Sequence, residues 1–417
     1  MSKRRRIAVF TGNRAEYGLQ YPILRAIKAR PDLELLLLVG GAHLDKNFGT
    51  TCDEIRKDGF NIDSEIEILP ETDDLMGTAR AIGKGIVNVS EALGHLKPDI
   101  LVVYADRFEG FAATIAGTQM RIPTAHVEGG DITQGGALDD SVRHAMTKLA
   151  HLHFTTNQQA TNRILWMGEE PWRVRTVGMP VLDLVAEGKY ASPEELGKRY
   201  GVRVDQPVIL FTQHSVTTEF DQASAQLAPS LRALEQLVKD GVQVLVTYSN
   251  NDAGGQKIVK EIQEFAAGCG DRVKLYASLG RFDYHGLLNL CGRVGRGACV
   301  GNSSSGIKET PVFGCPTVNI GSRQEGRLRS DNVIDADYDT QEILAACKKA
   351  LWDESFRRQC QQCENPYGSG KAGQRIAEVL ATIPLTPELI RKKMTLDGSP
   401  PPLNELIATN RSSGGEA

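Results

Sequence analysis

The run DILVVYAD at 99–106 constrains the fold of this chain more than any other stretch. Its interior is almost wholly apolar and shows no in-out alternation. A strand of that kind has to be covered on both faces, which is the habit of parallel sheets. Comparable runs recur at 6–10, 33–39, 122–127, 174–177, 208–211, 242–247, 273–275, 297–300 and 316–320. Apolar residues at helical spacing fill the gaps, as at 76–96, 109–120, 225–239 and 258–267. Strands alternating with helices predict an α/β fold built on parallel sheet. At 417 residues the chain exceeds one ordinary core. The alternation restarts after a transitional segment at 178–206, so two α/β halves are expected. Within that segment Ser192-Pro193-Glu194-Glu195 reads as a helix start, with Ser as cap and Pro at the first helical position.

In open parallel sheets ligands bind beyond the carboxyl ends of the strands. Arg14, Asp106, Arg107 and Glu128 all fall at such ends. After Glu128 comes a loop with Gly129, Gly130, Gly135 and Gly136, and then a helical pattern opened by Asp139 and Asp140. Arg143 and His144 follow one turn later, so each acid has a basic partner at i,i+4. Carboxylates held near cations and near each other are how proteins separate pKa values for acid–base work. The plainer alternative is a pair of acids favoured at a helix N-terminus.

TGNRAEYG occupies the first strand-to-helix turn but is not GxGxxG, so a nicotinamide or flavin site is not expected. Arg14 there lies near a helix N-terminus, a setting that favours an anion. GNSSSGIKE is the stronger anion signal: a strand runs into Ser303, Ser304 and Ser305 at the start of a helix. Glu309, one turn further, suits a ribose diol rather than a phosphate. His214 lies just past another strand end.

Lys+Arg number 48 and Asp+Glu 52, a net charge of -4, which argues against nucleic acid as partner. No apolar run reaches membrane-spanning length, and the apolar stretch after MSKRRR is too short for a signal peptide, so a cytoplasmic protein is expected. Of eight cysteines only Cys360 and Cys363 form a CxxC, and reduced thiols are the expectation. No metal site is expected: His151 and His153 are two apart and cannot share a helix face. From Pro384 the chain loses core-forming density, and 384–417 is expected to be a mobile tail.

The segments TGNRAEYG, GAHLDKNFG, ADRFE, HVEGGD, DDSVRHAMTKLAH, QHSVTTE, NNDAG, GNSSSGIKE and GSRQEGR occur in that order between about residues 5 and 380. Together they resemble the UDP-N-acetylglucosamine 2-epimerase family, in the hydrolysing branch from bacterial sialic acid and related nonulosonate synthesis. The resemblance implies a glycosyltransferase-B-like fold, two Rossmann-like domains facing a cleft. It implies 1–180 as a domain with the catalytic carboxylates, 181–365 as a nucleotide-binding domain, and 366–383 as a helix crossing back to the first. It matches Asp106, Glu128 and Asp139 to catalytic carboxylates, with Arg107, Arg143 and His144 beside them. It matches Arg14, His214, Asn250, Asp252, Ser303, Ser304, Glu309 and Arg323 to positions that hold the nucleotide diphosphate. The implied reaction is anti elimination of UDP to a 2-acetamidoglucal, then addition of water to give N-acetylmannosamine, without cofactor or metal. The same cleft would serve a GDP- or UDP-linked 2,4-diacetamido sugar of legionaminate synthesis, or a glycosyltransferase of like fold. The implied partners are the nucleotide sugar, UDP and further copies of the chain in a homo-oligomer.

Overall fold

The computed structural model describes residues 4–44, 51–70, 72, 75–133, 137–249 and 255–396. The apolar runs become two parallel sheets. The first holds β1 (Arg5–Thr11), β2 (Leu33–Gly40), β3 (Ser64–Ile66), β4 (Ile100–Tyr104), β5 (Thr124–Val127), β6 (Leu152–Thr155) and β7 (Val174–Thr176). Their order is β3-β2-β1-β4-β5-β6-β7. The second holds β8 (Val208–Thr212), β9 (Gln243–Thr247), β10 (Val273–Tyr276), β11 (Gly297–Gly301), β12 (Thr317–Ile320) and β13 (Val333–Ala336). Their order is β10-β9-β8-β11-β12-β13. Both are doubly wound, and the architecture is two Rossmann-like halves facing a cleft.

Burial on both faces explains the missing alternation. Ile7 and Val9 join one core with the Arg14–Lys28 helix, whereas Ala8 and Phe10 join another with the Leu75–Leu96 helix on the opposite face. Three strands were not legible as apolar runs. β3 and β13 are short edge strands, and β6 reads LHFT. That last miss also alters the histidine argument: His153 lies on a strand, level with His126 of β5, not on a helix.

Ser192 caps the Pro193–Tyr200 helix in a reciprocal capping box with Glu195. The chain returns to the first half through a turn at 365–370. There Met179 N donates to the Tyr367 carbonyl at 2.8 Å, so the two connections between halves lie side by side. Asp183 then accepts from Ala372 N and Gly373 N at 2.8 Å each, anchoring the start of the Ala372–Thr382 helix. That helix packs on Arg14–Lys28, with Gly373 so close to Pro22 that a Cβ would lie 2.6 Å from its carbonyl oxygen.

The tail expected to be mobile from Pro384 is pinned as far as residue 396. The buried Arg173 guanidinium donates to the carbonyls of Glu388, Leu389 and Arg391. Lys392 Nζ donates to the carbonyls of Lys148 and Ala150 at 2.7 Å each and pairs with Glu169 at 2.7 Å. Two cations meeting backbone carbonyls replace the apolar burial that a composition argument looks for. All eight cysteines are free thiols. Among the described residues no helix is long and apolar enough to cross a membrane.

Candidate active site

In each sheet the strand order reverses once, between β1 and β4 and between β8 and β11. Those switch points place the loops after β1, β4, β8 and β11 at the mouth of the cleft. In the first half two non-glycine residues there have left-handed backbone, Ala105 (φ 55) after β4 and Glu128 (φ 64) after β5. Such residues persist only where their surroundings hold them, and they cluster at functional sites. His126 supplies part of that hold. Its Nε2 lies 2.7 Å from the Ala105 carbonyl and its Nδ1 3.1 Å from Thr147 Oγ1. Burial pushes its pKa down to about 3, so it is a neutral ring, and the carbonyl contact requires the proton on Nε2.

Asp106 follows directly and pairs with Arg143, which also pairs with Asp140 at 2.5 Å and donates to the Asp131 carbonyl at 2.8 Å. Arg143 is buried, and burial followed by neighbouring Arg327 and Arg163 lowers its pKa to about 9, so it stays charged at neutral pH. The expected i,i+4 pairing of Arg143 is replaced by an i,i+3 contact with Asp140, because its other arm reaches Asp106. Asp140 is raised by burial, partly countered by the Thr133 N–H. Burial lowers His144, partly countered by Asp140, and its Nδ1 is buried without a hydrogen bond.

Glu128 and Asp131 meet a cation from the other half of the molecule. Lys308 Nζ is 2.8 Å from Asp131 and 3.6 Å from Glu128, and all three residues are buried. The Tyr104 hydroxyl and Glu128 Oε1 are both buried without a hydrogen bond of good geometry. Burial, then the neighbouring Glu128, pushes the tyrosine well above its ordinary pKa. Arg327, also from the second half, donates to Thr133 Oγ1 at 2.8 Å.

The second half answers these charges with hydroxyls and amides. Gly301 (φ 126) brings the end of β11 against β8, where a Cβ would fall 1.9 Å from the Thr212 carbonyl oxygen. Asn302 then staples three loops. Its side chain accepts from His214 N at 2.7 Å and donates to His214 O at 2.8 Å. Its own carbonyl accepts from Arg323 at 3.1 Å and Gln324 at 2.8 Å. His214, Ser303 and Arg323 are thereby brought to one place. Ser303 and Ser305 hydroxyls are 3.1 Å apart, and Ser305 meets Tyr284 at 2.5 Å. Ser304 precedes the short Ser305–Lys308 helix, and its hydroxyl caps nothing. Glu309 is bound to His285 Nε2 at 2.6 Å.

The other expected residues are placed as follows. Arg14 opens the Arg14–Lys28 helix, capped by Asn13, and pairs with Glu54 at 2.9 Å rather than with the serine loop. Arg107 lies 3.5 Å from Glu109. The Asp139 backbone is in the Ala137–Leu149 helix, but its side chain lies outside the described residues, as do Asn250 and Asp252. Sequence reasoning singled out neither Lys308, Asp131 nor Asn302. Lys308 adjoins Glu309, but a lone lysine on a short helix carries no signal until its partners across the cleft are known. Among the described residues no group of three His, Cys, Asp or Glu is placed to hold a metal ion.

A sequence profile described as UDP-N-acetylglucosamine 2-epimerase matches residues 25–381. The chain is 33% identical over 388 residues to a UDP-N,N'-diacetylbacillosamine 2-epimerase (hydrolyzing) of Legionella pneumophila, covering 93% of this chain and 98% of that one. It is 33% identical over 383 residues to a UDP-N-acetylglucosamine 2-epimerase of Neisseria meningitidis serogroup B, covering 90% and 95%. In fold it is similar to the UDP-GlcNAc 2-epimerase of Methanocaldococcus jannaschii solved with UDP-GlcNAc and UDP. That match has a TM-score of 0.70 and 18% identity, over 90% of this chain and 99% of the other.

Proposed function

This chain belongs to the UDP-N-acetylglucosamine 2-epimerase family, and from that premise we propose that it converts UDP-N-acetylglucosamine and water to N-acetylmannosamine and UDP, for sialic acid-type sugar synthesis. A carboxylate takes the C2 proton while the C1–O bond breaks and UDP departs with the electron pair. Water then adds across the resulting double bond, its hydroxyl to C1 and a proton to C2 from the opposite face. The first step needs a base and stabilisation of the leaving diphosphate, and the second an acid. Asp106, Glu128 and Asp139 are the proposed proton-transfer groups, with Arg107, Arg143 and His144 beside them. His214, Ser303, Ser304, Glu309 and Arg323 are the proposed nucleotide contacts, joined by Arg14, Asn250 and Asp252 from the resemblance.

One observation carries the reading: carboxylates at the ends of β4 and β5 meet the serine-loop segment of the other half through the Lys308 ion pairs. Binding alone has no need of an acid cluster. A glycosyltransferase would also require an acceptor. Incubation with UDP-N-acetylglucosamine in heavy water, followed by NMR, should give free N-acetylmannosamine deuterated at C2. Absence of free sugar without an added acceptor would overturn the proposal. The Legionella relative favours a second reading, the same reaction on a UDP-linked 2,4-diacetamido sugar. Comparing kcat/KM on the two substrates decides between them. Homo-oligomerisation is part of the proposal. Met76 and Val87 lie on one face of the Leu75–Leu96 helix and are more than half exposed (58% and 57%), and light scattering tests it.

A further inference from the structure

The strongest unassigned feature is the buried cation between Glu128 and Asp131. Its geometry is unusual in that two acids come from one half of the molecule and the lysine from the other. We propose that Lys308 is a positioning residue for the elimination, holding Glu128 in its carboxylate form and tying it to the loop that seats the departing diphosphate. The proposal rests on the hydrolysing-epimerase reading and adds to it a residue that touches neither C2 nor the phosphates.

Two features support this role. The first is mechanical. Lys308 N donates to the Ser304 carbonyl at 2.9 Å, and Asn365 Nδ2 donates to the Lys308 carbonyl at 2.8 Å. The serine loop and the ammonium therefore move as one body. Whatever seats a diphosphate on that loop also sets the distance from Lys308 to Glu128.

The second is electrostatic. Two buried carboxylates sharing a site cannot both ionise without compensation, and one retains a proton. The charged and titratable neighbours are few. Tyr104 of β4 faces Glu128, and its pKa is pushed too high for it to carry charge. The Tyr367 ring lies 5.3 Å from Lys308 Nζ, with its hydroxyl on the Leu328 carbonyl. Arg143 spends its contact on the Asp131 carbonyl rather than the carboxylate. Glu309 is taken up by His285. For Asp131 burial pushes the pKa up, and Lys308 and then Arg327 overcome it, leaving the carboxyl below its ordinary range. With Lys308 gone, Arg327 still faces Asp131, so Glu128 is the acid that becomes protonated. A protonated Glu128 cannot accept the C2 proton.

The test compares Lys308→Met and Lys308→Arg with wild type. An opposite charge within hydrogen-bonding reach typically shifts a carboxyl by about 1–3 pH units. For Lys308→Met the acidic limb of the kcat profile should move up by about one unit or more, with kcat at pH 7 down about tenfold or more. UDP affinity should stay within about threefold of wild type, less than one charge-assisted contact would cost. Lys308→Arg should restore the limb. The Glu128 carboxyl, followed by carbon-13 NMR in the free protein, should titrate correspondingly higher in Lys308→Met. If Lys308→Met loses its circular dichroism spectrum, Lys308→Gln takes its place. A fall in kcat with an unmoved limb and unmoved Glu128 titration would make Lys308 a structural pin and overturn the proposal. A large loss of UDP affinity with kcat unchanged would overturn it too, making Lys308 a ligand contact. If wild type turns over no nucleotide sugar, the functional reading fails, while the NMR titration still decides the link between Lys308 and Glu128.

Discussion

The two strand-end clusters that face each other are built from different chemistry. The β4–β5 side is dense in charge: Asp106, Glu128, Asp131 and Asp140 are tied to Arg143 and Lys308. The β8–β11 side is organised by the neutral Asn302, which fixes His214, Arg323 and Gln324 through backbone and amide contacts. A charged cluster changes state when a proton moves, and a neutral staple does not. The difference assigns proton transfer to the first cluster and recognition to the second. It also predicts that damage to the two will separate in kinetics.

The largest effect should come from the charged side. Asp106→Asn and Glu128→Gln keep shape and remove the ability to exchange a proton. A positioned acid or base typically contributes about 10²–10⁴-fold, so kcat should fall by that order with UDP affinity little changed. Wild-type kcat in both variants would remove these residues from the chemistry.

On the neutral side the effect should be smaller and of the opposite kind. A hydrogen bond to a charged group is worth about 1.5–3 kcal/mol. Arg323→Ala should therefore weaken UDP about ten- to a hundredfold, and Ser304→Ala somewhat less, with kcat at saturation largely kept. Unchanged titration calorimetry for both would refute the proposed diphosphate seat.

How much of this contrast could be read from the chain follows from where each residue gets its meaning. Asp106, Glu128, Ser303 and Ser304 are legible because unbroken apolar strands announce their own ends, and ends are where ligands bind. The doubly wound architecture is legible for the same reason. Lys308, Asp131 and Asn302 are not, since each acts through a partner distant in sequence, up to 180 positions away for Lys308 and Glu128. β6 escaped because LHFT lacks an apolar run, and the 384–396 segment escaped because arginine and lysine on carbonyls hold it.

A third effect concerns stability and again separates the halves. Behind β1, Glu16 is buried, accepting from Gly12 N at 3.1 Å and Gln20 Nε2 at 2.6 Å, with Glu109 nearby. Burial, then the neighbouring Glu109, raises its pKa from 4.5 to about 8. The folded state thus keeps a proton that the unfolded chain has lost. Stability is therefore fullest below about pH 4.5 for this group and falls as pH rises toward 8, by up to about 1.4 kcal/mol per pH unit. Glu16→Gln should flatten the urea-unfolding profile between pH 5 and 8 relative to wild type. Parallel profiles would mean that Glu16 is charged in the folded protein.

The smallest effect is the one that unites the clusters. Neither half alone carries both the proposed proton-transfer groups and the proposed diphosphate seat, so a ligand spanning both should favour the state in which they are close. For UDP to shift that equilibrium it must bind the closed arrangement better than the open one. The two connections that would absorb the motion, 178–206 and 365–370, lie side by side and share the Met179 N to Tyr367 O hydrogen bond, as a hinge requires. The cleft is already bridged without ligand by Lys308 to Asp131 and Arg327 to Thr133, so little travel remains. Small-angle scattering at saturating UDP should show a slightly smaller radius of gyration than the free protein. In Lys308→Met, which has lost its ion pairs across the cleft, the free protein should be more open and the change on adding UDP larger. Identical profiles with and without UDP in both proteins, with binding verified by calorimetry, would mean that the two clusters are held together by the scaffold and that closure does not gate the reaction.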